Sequence, residues 1–145
     1  MRHEGGCLCG SVRYEVEGAP LASGICHCRS CRRAASAPTL PFLVFAADRF
    51  RITRGRPAEY RSSPGVTRGF CGGCGSPLTW RGEAEPGTVD VTTCSLDDPE
   101  AFPPGFHVWT SHRLSWQCLG EGLPTYGTSR AAEGAGTPPP PRREA

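Results

Sequence analysis

The sequence predicts a mainly β fold: a single domain built from short antiparallel strands. Three observations carry that reading. Short stretches rich in β-branched and aromatic residues recur between turn signals, helix signals are sparse, and seven of nine cysteines fall in groups spaced like metal ligands.

The strand candidates follow in order. SVRYEV (Ser11 to Val16) alternates Val12, Tyr14 and Val16 with Arg13 and Glu15, the pattern of a half-buried strand. TLPFLVF (Thr39 to Phe45), RFRIT (Arg49 to Thr53), VTRGF (Val66 to Phe70), TVDVTT (Thr88 to Thr93) and HVWT (His107 to Thr110) complete the set. The clearest helix signal is SLDDPEAF, where Asp97 or Asp98 is placed to cap one or two turns and Pro99 to occupy the first. From Thr128 the chain turns small and polar and ends in GAGTPPPPRREA, which carries too little apolar surface to pack. Residues 1–127 are therefore read as the domain and 128–145 as a disordered Pro/Gly/Arg tail.

At 145 residues, one core can bury most of the apolar surface. No run approaches the roughly 20 apolar residues that crossing a bilayer requires. MRHEGGCLCG lacks the apolar segment of a signal peptide, so a cytoplasmic location is expected. The net charge of +2 comes from 16 arginines and no lysine, interleaved with acids. Nucleic-acid binding requires a concentrated basic face. The arginine clusters are only Arg29/Arg32/Arg33 and Arg142/Arg143, so a nucleic-acid partner is not expected.

Disulfides are rare in reducing cytosol, and an odd count of nine cannot pair completely, so the cysteines point to metal. Seven of them form three groups: Cys7 and Cys9 as CxC, Cys26, Cys28 and Cys31 as CxCxxC, and Cys71 and Cys74 as CxxC. FCGGCGSPL (Phe70 to Leu78) reads as a zinc knuckle, with Gly72, Gly73 and Gly75 allowing a tight turn. A redox CxxC is the rival reading, but that motif opens a helix, which Gly75 and Pro77 disfavour here. A closed structural zinc takes four ligands, and Cys7 and Cys9 are the economical partners for the knuckle. Spacing also permits Cys26 and Cys31 to join it.

Under the first partition Cys26, Cys28 and Cys31 hold a second zinc with three protein ligands and an open position, the pattern of a catalytic zinc. That position suits water or, on a soft thiolate site, the sulfur of an incoming thiol, whose pKa the metal lowers. Three thiolates on a dication leave net negative charge, which Arg29, Arg32 and Arg33 are placed to offset. Arg29 and Arg33 are the candidate contacts for the carboxylates of a small acidic thiol. His27 would close the site as a fourth ligand, but neighbours in an extended segment point to opposite faces, which argues against it. His107 and His112 are candidate proton shuttles, with a buried, hydrogen-bonded role favoured for His107. Cys94 and Cys118 are expected as small buried hydrophobes.

GGCLCGSVRYEV, CHCRSCRRA, YRSSPGVTRGFCGGCGSPLTW and SLDDPEAFPPGFHVWTSHRLSW follow one another along the chain. Together they resemble the glutathione-dependent formaldehyde-activating enzyme / centromere protein V domain family, over nearly all of Gly5 to Tyr126. The resemblance implies a β-tent fold with two zinc ions, a structural one at Cys7, Cys9, Cys71 and Cys74 and a catalytic one at Cys26, Cys28 and Cys31. It also implies condensation of glutathione with formaldehyde to S-hydroxymethylglutathione, formally a carbon–sulfur lyase reaction.

Three functional readings follow. The first is an enzyme adding a small thiol, glutathione above all, to an aldehyde such as formaldehyde. The second is a non-catalytic, zinc-stabilised module binding a protein or nucleic acid, which would have no use for an open metal position. The third is a thiol redox sensor in which CxCxxC loses zinc on oxidation.

Overall fold

The computed structural model describes residues 1–119 and 122–134. The fold is mainly β. In chain order the strands are β1 (Arg2–Gly6), β2 (Arg13–Glu17), β3 (Ala22–Cys26), β4 (Leu40–Ala46), β5 (Phe50–Arg54), β6 (Ala58–Ser63), β7 (Val66–Phe70), β8 (Pro77–Gly82), β9 (Thr88–Thr92) and β10 (His107–Val108). The helices are α1 (Arg29–Ala35) and α2 (Arg130–Glu133), with single 3-10 turns elsewhere. The chain divides into two compact units, Met1–Ser23 with Phe42–Pro103, and Gly24–Pro41 with the described residues from Pro104 onward.

In the first unit β1, β2 and β5 form an antiparallel sheet in that order. A second antiparallel ladder runs β4-β9-β8-β7-β6. The alternation in SVRYEV has the predicted consequence: Tyr14 and Val16 are fully buried and pack with Leu43 and Phe45 of β4 and Val89 and Val91 of β9. On the opposite face of β2, Glu15 is buried as well, and its carboxylate accepts from Arg51 Nε at 2.9 Å and pairs with Arg2. The Tyr14 hydroxyl lies 2.7 Å from Ser95 Oγ, which in turn donates to the Thr92 carbonyl at 2.8 Å. That chain of donors satisfies a phenol that would otherwise be a buried, unpaired polar group.

Four strands escape the sequence pattern, each for a local reason. RHEGG of β1 carries two glycines, which lower strand propensity. Gly5 is nonetheless required, because a Cβ there would stand 2.6 Å from the Ser95 carbonyl oxygen and against the Tyr14 ring. AEYRSS of β6 is a mostly exposed end strand without apolar alternation, PLTWRG of β8 begins with proline, and ASGIC of β3 is short and small. In SLDDPEAF the helix is one 3-10 turn, Pro99–Ala101. Asp98 stands at its cap position without a side-chain cap bond, and Asp97 instead accepts from Arg13 Nη1 at 2.8 Å.

In the second unit β10 pairs with the end of β3 in parallel, His107 opposite Ile25 and Val108 opposite Cys26, a departure from the all-antiparallel expectation. Ile25 N–H donates to the Phe106 carbonyl at 2.9 Å, and a bridge joins His107 to Thr125. The stretch expected as a tail is described as far as Gly134. Ser129 Oγ caps α2 by accepting from Ala132 N–H at 3.2 Å, and the Arg130 guanidinium stands 4.6 Å above the Phe106 ring. Residues 135–145 lie outside the described residues.

Candidate metal centres

Two turns of the first unit mirror each other. After β1, Gly10 N–H donates to the Cys7 carbonyl and Cys7 N–H to the Val12 carbonyl, both at 3.0 Å. After β7, Gly75 N–H donates to the Cys71 carbonyl at 2.8 Å and Cys71 N–H to the Ser76 carbonyl at 3.0 Å. Gly10 (φ 76°) and Gly75 (φ 78°) each close their turn in the left-handed region, where a side chain is strained. Leu8 N–H donates to Ser76 Oγ at 2.9 Å and ties one turn to the other.

The result gathers the sulfurs of Cys7, Cys9, Cys71 and Cys74 within 4.8 Å of one another. Cys7 Sγ is 3.5 Å from Cys9 Sγ, and Cys9 Sγ is 3.7 Å from Cys71 Sγ. A disulfide is about 2.05 Å long, whereas the sulfurs of a tetrahedral zinc with bonds of about 2.3 Å stand about 3.8 Å apart. The spacing therefore fits four ligands around one ion, and none of the nine cysteines is in a disulfide. Val12 N–H donates to Cys7 Sγ at 3.2 Å and Cys74 N–H to Cys71 Sγ at 3.4 Å. The Ser76 hydroxyl, 3.3 Å from Cys74 Sγ, leads the groups that pull that thiol down to about 5. Burial pushes Cys7 up, but the Val12 amide and the Ser11, Cys9 and Cys71 side chains outweigh it and bring the thiol to about 7.

The second unit gathers three sulfurs, those of Cys26, Cys28 and Cys31, again within 4.8 Å of one another. Cys26 ends β3, Cys28 is the N-cap of α1, and Cys31 lies in its first turn. Cys28 N–H donates to Cys26 Sγ at 3.5 Å and Cys31 N–H to Cys28 Sγ at 3.3 Å. The Cys28 and Cys31 thiols beside it, with burial, push Cys26 far above the usual thiol range, because a thiolate among other sulfurs lacks a countercharge. A dication at the centre would supply that charge, so the donor set fits a soft divalent metal.

Cys28-Arg29-Ser30-Cys31 thus opens a helix, the arrangement that Gly75 and Pro77 disfavour at Cys71 and Cys74. Arg and Ala residues after the cysteines favour helix, and α1 ends at Ser36, which is left-handed (φ 49°) with its N–H turned back to the Arg32 and Arg33 carbonyls. Arg29 and Arg33 are exposed. Arg33 lines a shallow cleft of about 420 Å³ with Arg32, Ser36, Ala37, Pro38 and Leu114. Arg32 is half-buried and its Nε donates to the His27 carbonyl at 3.2 Å.

His27 is not a member of the three-sulfur group. It is fully buried, and its Nε2 lies 2.9 Å from Nδ1 of His107, which is equally enclosed. His112 is exposed on the turn Thr110–His112, its ring 5.2 Å from that of Trp109. Cys94 and Cys118 are both exposed rather than buried. Cys94 sits in the 3-10 turn Thr93–Ser95, which buries Thr93 instead, and Cys118 lies outside any strand or helix. Sequence reasoning did not find Ser11 and Ser76, which attend the sulfurs, because serines beside glycines read only as turn residues. Trp109, held left-handed at φ 57°, had no sequence signal at all.

Fold and clusters together define a class, small β proteins that carry one four-thiol and one three-thiol centre suited to metal. Within that class the assignment is direct. A family model described as glutathione-dependent formaldehyde-activating enzyme matches residues 2–112, and the chain belongs to that family. A crystal structure of a Rhodobacter sphaeroides protein is similar to this chain, with 25% identity and a TM-score of 0.56 over 65% of this chain and 87% of that one.

Proposed function

We propose that the chain is a zinc enzyme that adds a small thiol to an aldehyde, with glutathione and formaldehyde, the compounds in the family's description, as the leading pair. The observation that supports this is the difference between the two clusters: among the described residues four sulfurs gather in one unit and three in the other, and three ligands on a tetrahedral ion would leave one position for substrate. Cys7, Cys9, Cys71 and Cys74 hold the structural ion, and Cys26, Cys28 and Cys31 the catalytic one. When bound there, Zn²⁺ supplies the Lewis acidity that keeps an added thiol ionised at neutral pH.

The reaction is R–SH + H₂C=O → R–S–CH₂–OH: a carbon–sulfur bond forms, the carbonyl π pair moves to oxygen, and the oxygen takes a proton. Read in reverse it is a carbon–sulfur lyase. Arg29 and Arg33, exposed on α1 next to the cysteines, present positive charge to the carboxylates of an acidic thiol. The cleft beside Arg33 adds Leu114 and Pro38 as an apolar wall. Among the described residues no helix is long and apolar enough to cross a membrane. Nine cysteines outside any disulfide suit a reducing cytoplasm.

The test is NMR exchange spectroscopy on formaldehyde, glutathione and their adduct with zinc-loaded protein. The reading requires interconversion faster than the uncatalysed rate and its loss in Cys31→Ser. An unchanged rate with the wild-type protein rules out this substrate pair.

A further inference from the structure

His27 and His107 form a buried imidazole pair that the proposed chemistry does not use. His27 is 0% and His107 2% exposed, the Nε2–Nδ1 separation is 2.9 Å, and the ring centroids are 5.1 Å apart. One ring donates and the other accepts, and each group offsets the desolvation of its partner.

The backbone around the pair is equally fixed. His27 N–H donates to the Val108 carbonyl at 3.1 Å, and the His27 carbonyl accepts from Arg32 Nε. His107 N–H donates to the Pro124 carbonyl and its carbonyl accepts from Tyr126 N–H, each at 2.9 Å. His27 is therefore held at its amide, its carbonyl and its ring.

His27 also stands between two of the three sulfur-bearing residues. Neighbouring side chains of an extended segment alternate in direction, so anchoring the His27 ring in the interior turns Cys26 and Cys28 to the other side together. Cys28, so placed, caps α1 and sets Cys31 one turn further on. We propose that the His27–His107 pair is the positioning element of the three-sulfur centre. It ligates no metal. It holds the CxC segment so that three sulfurs converge while the fourth position stays open. This rests on the reading of Cys26, Cys28 and Cys31 as metal ligands. Groups that orient metal ligands from outside change affinity by roughly 10- to 100-fold when removed.

The test compares His107→Leu with His107→Asn, which restores a hydrogen-bonding atom near the Nδ1 position, and His27→Leu with His27→Gln, which does so near Nε2. The readout is the release rate of each of two metal equivalents to a chromophoric chelator, the four-sulfur centre serving as internal reference. The leucine variants should release one equivalent at least about 10-fold faster with the other unchanged, and the amide variants should recover most of the loss. Leucine variants with wild-type release, or amide variants as leaky as the leucine ones, overturn the proposal. A ¹¹³Cd-loaded wild-type protein separates the alternatives even if the leucine variants do not fold. ¹¹³Cd coupling to a ring nitrogen of His27 makes it a ligand and overturns the positioning role, whereas coupling to cysteine alone supports it. Wild-type protein that binds only one metal, at the four-sulfur centre, refutes the underlying ligand reading instead.

Discussion

Cys9 and Cys71 lie 62 residues apart in the chain, yet their sulfurs are 3.7 Å from one another. The turn after β1 and the turn after β7 meet there, joined also by the Leu8–Ser76 hydrogen bond and by the Ser11 hydroxyl 3.4 Å from Cys71 Sγ. A metal at that point would close a loop of 62 residues. Structural zinc supplies on the order of 10 kcal/mol in small domains, so under the proposed function a zinc at this point carries much of the unit's stability. Cys71→Ser should cost one zinc equivalent and lower the melting temperature by more than about 10 °C, whereas Cys31→Ser should cost the other equivalent with a smaller shift. Metal content by mass spectrometry and calorimetry check both, and equal shifts would remove the distinction between a structural and a catalytic ion.

Asp90 gives the molecule a pH dependence. It lies in β9 opposite Trp80 and Val44, and burial, aided by the charge of Glu85 and opposed by Arg68, raises its carboxyl to about 7. Between about pH 4 and 7 the folded chain therefore keeps a proton that the unfolded chain has released, and this group's contribution to stability falls as pH rises through that window. Asp90→Asn removes the dependence. The variant should match the wild type near pH 4 and exceed it by on the order of 1–3 kcal/mol at pH 8, measured by urea unfolding. A stability difference independent of pH refutes the shift.

Ser36 offers a stabilising change. Its left-handed backbone ends α1, and a residue without Cβ takes that conformation without strain. Ser36→Gly should stabilise the protein by about 0.5–1 kcal/mol in chemical denaturation, without altering metal content. Destabilisation would show that the Ser36 side chain makes a contact worth more than the strain it causes.

Gly5 predicts the opposite sign. Adding a methyl at Gly5 drives it into the Ser95 carbonyl and the Tyr14 ring, whose hydroxyl is hydrogen-bonded to Ser95 Oγ. Gly5→Ala should cost about 2 kcal/mol or more, seen as a lower denaturant midpoint. A neutral substitution would mean that β1 shifts freely away from β2.

The amino-acid sequence by itself determined the β class, the core alternation of Val12, Tyr14 and Val16, and the grouping of seven cysteines, because period-two burial and ligand spacing are local properties of a chain. The helical character of α1 was also local but was masked, since the residues that start it read first as thiolate ligands. Exposure of Cys94 and Cys118 was not legible, because small cysteines carry no pattern of their own and burial depends on what the fold lays beside them. Only the tertiary structure decided that Cys7 and Cys9, rather than Cys26 and Cys31, meet Cys71 and Cys74. It alone brought His107 to His27, from 80 residues away. Spacing along a chain limits which residues can share a turn, whereas contacts between distant segments follow from how the strands pair, and no short stretch of sequence contains that pairing.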